Sequence, residues 1–205
     1  WQSNEQIRQT KWLHPQTLFP IIQGVTYDDL RLESVRFLRD LPTVGIAIGG
    51  LSVGEWKESM LAALDILAGE LPTQKPHYLM GVGPTADLVE SIARGVDMFD
   101  CVLPTRLGRH GEIFTSEWYI KMNRSTLAGS MEKIPVLPGF ETSVSENYTL
   151  GYLRHLIHSD ELLGHILLSM HNVEFLMRLC DRAREAIQKN SYEAFRRNFW
   201  NIYKV

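Results

Sequence analysis

The residue best placed to do chemistry is Asp100, a carboxylate that closes the apolar run of Val96, Met98 and Phe99 and is followed by Cys101 and Val102. A carboxylate among such residues is costly unless it is solvated or partnered. At the C-terminal end of a parallel strand it would stand on the rim where βα folds build their active sites. Position alone leaves a second reading open, a cap or ion pair internal to the fold. Three other short apolar runs end in groups suited to a flat polar ligand: Gln23 with Gly24, Gly49 and Gly50 with Leu51, and Met80 and Gly81 with Val82 and Gly83. A glutamine amide both donates and accepts, and glycines let a ligand approach the main chain closely. A purine-like ring could be held on its polar edge there and covered by a methionine. Each glycine could equally make a tight βα turn and nothing more.

Gly81-Val82-Gly83 could instead cradle a phosphate at the start of the following helix, although the full GxGxxG spacing is absent. Arg106, Arg109 and His110, spaced by Gly108 and Gly111, form the most compact basic cluster near Asp100 in sequence. Guanidinium forks suit phosphate oxygens, and a solvated loop is the plainer alternative. His155, His158, His165 and His171 invite a metal reading, but no thiolates or dense carboxylates complete a tetrahedral set. The residues themselves therefore predict no metal.

These groups need a frame. Runs bounded by turn residues alternate with amphipathic stretches through the first hundred residues, the pattern of βα units on parallel strands. LFPIIQG (18–24), VGIAIGG (44–50), HYLMGVG (77–83) and VDMFDCVLP (96–104) read as the strands. The helix after the first places Leu30, Val35, Leu38 and Leu41 on its apolar face. Ser52 reads as the N-cap of the second helix, with Gly69 ending it, and Thr85 as the N-cap of the third. Beyond Pro104, LGRHGEIFTSEWYIKMNRS reads as a basic turn and a hairpin, and residues 130–147 as a loop. A mostly helical tail then runs from Tyr148. The expected divisions are 1–104, 105–147 and 148–205.

A 205-residue chain with 44% hydrophobic and 22% charged residues has the composition of an ordinary globular protein. Its formal charge of −3 supplies no bulk positive field, so RNA contact would need a local basic patch. Two cysteines make no disulfide framework or CxxC motif. No apolar stretch approaches the ~20 residues that span a bilayer, and no charged n-region with an apolar h-region opens the chain. A cytoplasmic setting is expected. The chain starts at Trp1, inside what reads as the helix WQSNEQIRQTKWL, and the natural protein is expected to begin further upstream.

Together, FPIIQG, AIGGLSVGE, HYLMGVG and RGVDMFDCVLPTRLGRHG resemble the tRNA-guanine transglycosylase family in order, spacing and wording. NYTLGYLRHL and the MHN at 170–172 carry the likeness over nearly the whole chain. The resemblance implies an α/β fold, the C-terminal half of a (β/α)8 barrel, with a hairpin insertion and a helical C-terminal part. It implies that Asp100 in FDCVLPTR is the catalytic nucleophile, attacking the ribose C1′ of a guanosine in tRNA to form a covalent intermediate that a 7-deazaguanine base then captures. Gln23 and Gly50, beside Gly49, match residues that hydrogen-bond the base, and Leu51, Met80 and Gly81 match the pocket wall. Gly81, Val82, Gly83, Pro84, Thr85, Ala86 and Asp87 match one stretch that contacts RNA; Thr105, Arg106, Leu107, Gly108 and Arg109 match another. The family's acid/base aspartate and a second that reads the base belong to its N-terminal half. The bacterial-type wording of LPTR and YLRHL favours 7-aminomethyl-7-deazaguanine at the wobble position.

In one respect the sequence departs from this family, which holds a structural zinc through a CxCxxC set and a downstream histidine. Phe140, Thr142 and Ser145 stand where those cysteines belong, and of the four only His171 remains. One imidazole cannot close a zinc site, so the zinc is expected to be lost, with packing around Phe140 in its place. A homodimer or a partner subunit is expected, because half a barrel would expose strand edges. Two rival functions remain: a non-catalytic tRNA-binding partner subunit, and a barrel enzyme that binds a phosphorylated metabolite at Gly81 to Gly83.

Overall fold

Ile46, Ala47 and Ile48 are all buried, as a parallel strand covered on both faces requires. In the computed structural model, which describes residues 17–52 and 54–203, they form β2 (Ile46–Ile48). The helix read from WQSNEQIRQTKWL lies outside the described residues. β2 is flanked by β1 (Ile21–Ile22) and β3 (His77–Leu79), and β4 (Met98–Phe99) follows β3, so the sheet order is β1-β2-β3-β4. All pairings are parallel, with Ile22 opposite Ile48, Ile48 opposite Leu79 and Leu79 opposite Phe99. Sequential parallel neighbours need crossovers, and helices supply them: α1 (Asp28–Leu38), α2 (Lys57–Ala68) and α3 (Thr85–Ile92).

In α2 the buried residues are Met60, Ala63, Leu64 and Leu67, spaced as one face of a helix. Burying one such leucine stabilises by about 2 kcal/mol. α1 departs from expectation. Leu30 is 48% exposed, whereas Arg31 and Val35 are fully buried, so a guanidinium takes the place predicted for an apolar side chain. The expected caps shift as well. Trp56 precedes α2 and Pro84 precedes α3, leaving Ser52 in the preceding loop and Thr85 as the first helical residue.

The described residues form two compact units, the first ending at Cys101 and the second beginning at Val102. The second opens with α4 (Leu103–Arg109), where a basic turn was expected; Pro104 near its start suits a helix N-terminus. The antiparallel hairpin of β5 (Glu112–Thr115) and β6 (Trp118–Lys121) follows as read. Within the expected loop, Thr142 and Ser145 close a capping box that starts the short helix α5 (Ser143–Asn147). α6 (Leu150–His158), α7 (Leu162–Gln188) and α8 (Tyr192–Ile202) make the tail helical.

This unit's core gathers Ile113 and Met122 from the hairpin region, Val144, Leu153 and Leu156 from α5 and α6, and Leu167 and Leu168 from α7. α4 can lie against α7 because residue 108 is glycine: a Cβ there would stand 2.4 Å from Ser169 Oγ. Buried Asn172 joins three segments. Its Oδ1 accepts from Phe114 N at 2.9 Å, and its Nδ2 donates to Pro104 O at 2.9 Å and Glu112 O at 3.0 Å. No helix among the described residues is long and apolar enough to cross a membrane.

Candidate active site

The loops that leave the strands turn sharply. Val25, Gly50, Ser52 and Gly81 all have left-handed φ, at 50°, 64°, 60° and 77°. Asp100 follows β4 directly and is exposed. Its Oδ1 accepts from the Tyr78 hydroxyl at 2.6 Å and from Gly81 N at 3.0 Å. Tyr78 reaches it from the neighbouring strand, where it pairs with Met98, and the left-handed turn at Gly81 brings the amide onto the same oxygen. The Tyr78 hydrogen bond, then that of Gly81, holds the Asp100 carboxyl below its usual range, against a smaller opposing effect of burial. The same bond pushes the Tyr78 phenol up. The pair is therefore a carboxylate and a neutral phenol at neutral pH.

At the ends of β1 and β2, the Gln23 amide lies on the glycine pair. A Cβ on Gly49 would stand 3.0 Å from Gln23 Nε2, and one on Gly50 would stand 2.8 Å from Gln23 Oε1. The glycines are needed here because the amide occupies the space a side chain would fill. Gln23 N donates to Ser34 Oγ at 3.1 Å and Gly49 N to Ile22 O at 3.0 Å, which fixes the two strand ends to α1 and to each other. The side-chain amide carried by this fixed strand end offers a donor and an acceptor side by side, the pattern that a flat heterocycle edge matches.

The remaining predicted residues divide by burial. Leu51 is in the core at 3% exposure, Met80 is half-buried and Gly81 exposed. Val82, Gly83, Thr85 and Ala86 are buried and Pro84 half-buried; half-buried Asp87 pairs with Lys57 at 2.8 Å. Surface in that stretch therefore comes from Gly81, Pro84 and Asp87. Thr105, Arg106, Leu107, Gly108 and Arg109 lie on α4 in the second unit. Arg106 and Arg109 are exposed three residues apart, Leu107 is half-buried, Gly108 is buried, and the Thr105 hydroxyl donates to Val102 O at 3.2 Å.

Two contributors were missed by the sequence reading. In the sequence, Tyr78 stands out only as an aromatic residue with a polar tip between His77 and Leu79, and the structure leaves it half-buried between two buried neighbours. Arg31 was legible as a cation four residues before Val35, at the spacing of a shared helix face.

The residues at the zinc positions do not fit a metal ion. Thr142 Oγ1 donates to His171 Nδ1 at 2.7 Å and accepts from Ser145 N at 3.0 Å, while Ser145 Oγ donates to Thr142 O at 3.1 Å. His171 Nε2 donates to Phe114 O at 2.8 Å, the carbonyl being an acceptor only, so both ring nitrogens are engaged. Phe140 packs on Phe175 with ring centroids 5.4 Å apart. Burial pushes the His171 imidazole below the usual histidine range and keeps it neutral.

Comparison with known proteins agrees with the residues that carry the resemblance. A profile of the family described as Queuine tRNA-ribosyltransferase matches residues 2–205. Among curated proteins, the queuine tRNA-ribosyltransferase of Caulobacter vibrioides is 47% identical over 184 residues, covering 90% of this chain and 49% of the relative. The protein of the same name from Halothermothrix orenii is 48% identical over 188 residues, 92% of this chain and 50% of the relative. That from Herpetosiphon aurantiacus is 47% identical over 180 residues, 88% and 45%. The chain thus spans about half the length of the curated relatives it matches. With a family match over nearly every residue, the chain belongs to the queuine tRNA-ribosyltransferase family.

Proposed function

We propose that this chain carries the nucleophile and much of the base site of a tRNA-guanine transglycosylase, on what is the C-terminal half of a (β/α)8 barrel. The observation that carries the reading is Asp100: an exposed carboxylate at a strand end, kept ionised by Tyr78 and Gly81. Both donors fall on Oδ1, which leaves Oδ2 to attack. In the proposed reaction Oδ2 forms a bond to ribose C1′ of a guanosine in tRNA, the C1′–N9 bond breaks, and guanine leaves with the bonding electrons. An acid/base carboxylate, which the resemblance assigns to the family's N-terminal half, protonates the departing base. An incoming 7-deazaguanine, 7-aminomethyl-7-deazaguanine in this reading, then attacks C1′ through its ring nitrogen, gives that nitrogen's proton to the same acid/base carboxylate, and releases the Asp100 carboxylate. The base would be held on its polar edge by the Gln23 amide and the Gly49-Gly50 main chain, taken out of any stack.

In this reading Leu51, Met80 and Gly81 bound the pocket. tRNA contacts are assigned, each within its own unit, to the exposed part of Gly81 to Asp87 and to Arg106 and Arg109, whose guanidinium forks suit phosphates. The protein works in the cytoplasm, where its tRNA substrate is, as a homodimer or with a partner subunit. No zinc is part of it. The Thr142, Ser145 and His171 hydrogen bonds, with Phe140 on Phe175, hold the segment a metal would hold.

The test is trapping of a covalent protein-tRNA adduct on a denaturing gel, with full-length protein, unmodified tRNA and a guanine analogue, beside Asp100→Asn. An adduct that requires Asp100 is the expected result. tRNA binding by folded protein without an adduct would overturn the catalytic reading and indicate a tRNA-binding subunit.

A further inference from the structure

Arg31 is fully buried on α1, yet it donates to three main-chain carbonyls that do not belong to its own helix. Nε donates to Val25 O at 2.7 Å, Nη2 to Gly50 O at 3.1 Å and Nη1 to Ile22 O at 3.5 Å. Those carbonyls bracket the base-edge groups: Ile22 and Val25 lie on either side of Gln23, and Gly50 is the glycine under the Gln23 amide. The backbone at these points is strained. Val25 is β-branched and has φ 50°, and Ser52, two residues past Gly50, has φ 60°; such conformations persist only when their surroundings over-determine them. A guanidinium, rigid and forked, can bond carbonyls from two separate loops at once.

We infer that Arg31 is a positioning residue for base recognition, clamping the loops after β1 and β2 so that the Gln23 amide and the Gly49-Gly50 main chain form one preorganised edge. The inference rests on the proposed function for what that edge binds; the clamp itself rests on the three carbonyl bonds. Glu55 favours the charge of Arg31, while burial opposes it more strongly. A cation kept here against that cost indicates a role that an apolar residue at the same place would not fill.

The experiment compares full-length wild type with Arg31→Lys and Arg31→Met. It measures KM for free guanine in the exchange reaction, equilibrium binding of tRNA, and hydrogen exchange of the peptides spanning residues 22–25 and 49–52. Loss of charged hydrogen bonds to the loops is expected to raise KM for guanine by about tenfold or more in Arg31→Met. tRNA affinity should stay within about twofold, since phosphate contacts dominate it. Both loop peptides should exchange faster together while β3 stays protected. Arg31→Lys keeps the charge without the fork and is expected to show the same pattern in milder form, which covers the case in which Arg31→Met does not fold. Unchanged KM for guanine, or guanine and tRNA affinity falling together with protection lost throughout the sheet, would overturn the inference. If wild type itself exchanges no guanine, the proposed function fails, and the paired exchange of the two loops still decides whether Arg31 is their clamp.

Discussion

Tyr78 Oη donates to Asp100 Oδ1 across 2.6 Å, from one strand of the sheet to the end of the next. This bond, more than burial, decides the protonation state of the carboxylate. Because the folded-state pKa of Asp100 lies below its ordinary value, the bond's contribution to stability is present above that ordinary value and is lost as pH falls through the folded one. The nucleophilic activity proposed for Asp100 should follow the same course, failing on the acid side. Tyr78→Phe removes the largest cause of the shift and leaves Gly81 N in place. The acid limb of the kcat/KM profile should therefore move to higher pH, with Asp100 adducts still formed at neutral pH. An unmoved acid limb would show that Tyr78 does not tune Asp100.

Gly50→Ala tests the base edge. Its φ of 64° costs a non-glycine residue about 1 kcal/mol, and the new methyl would meet Gln23 Oε1 at 2.8 Å. The far end of a flexible side chain can move aside, so the effect on stability should be small and the displaced amide should cost recognition. KM for guanine is expected to rise about tenfold, on the scale of one lost hydrogen bond to a buried polar group. Thermal melts and guanine kinetics on the same preparation separate the two effects, and equal losses in both would contradict this account.

Asn172→Ala leaves Phe114 N, Pro104 O and Glu112 O without their partner inside the second unit. Burying unsatisfied main-chain groups of this kind should destabilise by about 3 kcal/mol. Urea unfolding measures it, and hydrogen exchange should show protection lost first in α4 and the hairpin. A variant within about 0.5 kcal/mol of wild type, the range of ordinary surface changes, would mean that Asn172 is not the joint between these segments.

His171 predicts both a pH dependence and an indifference to chelators. Its folded-state pKa is depressed below the ordinary 6.5, so the unfolded chain takes up the proton first. Stability should be full above that value and decline as pH falls below it, and His171→Asn should flatten this slope. The purified protein is expected to contain no stoichiometric zinc, and EDTA should leave its Tm unchanged. Replacing Phe140, Thr142 and Ser145 together by cysteine should create zinc binding with His171 as the fourth ligand. Bound zinc in the wild type, with a Tm that falls on chelation, would refute the zinc-free account.

The four strands, their crossover helices and the helical tail could be read before any coordinates, because apolar period and turn residues report burial along one chain locally. The Asp100, Gln23, Gly50 and Gly81 positions were legible for the same reason, since each ends an apolar run. Errors arose where a non-local partner overrode the local pattern. Arg31 displaced Leu30 from the buried face of α1 because carbonyls from two other loops accept its guanidinium. The basic turn before the hairpin became α4, whose main-chain Pro104 O and close-packed Gly108 are matched by Asn172 and Ser169 on α7, more than fifty residues away. Sequence by itself determined most of the elements and the family, and it pointed to Asp100 as the candidate nucleophile. Tertiary structure alone decided which groups tune and hold them, because a hydrogen bond between distant segments depends on where the folded chain places its donor and acceptor, and no periodicity records that.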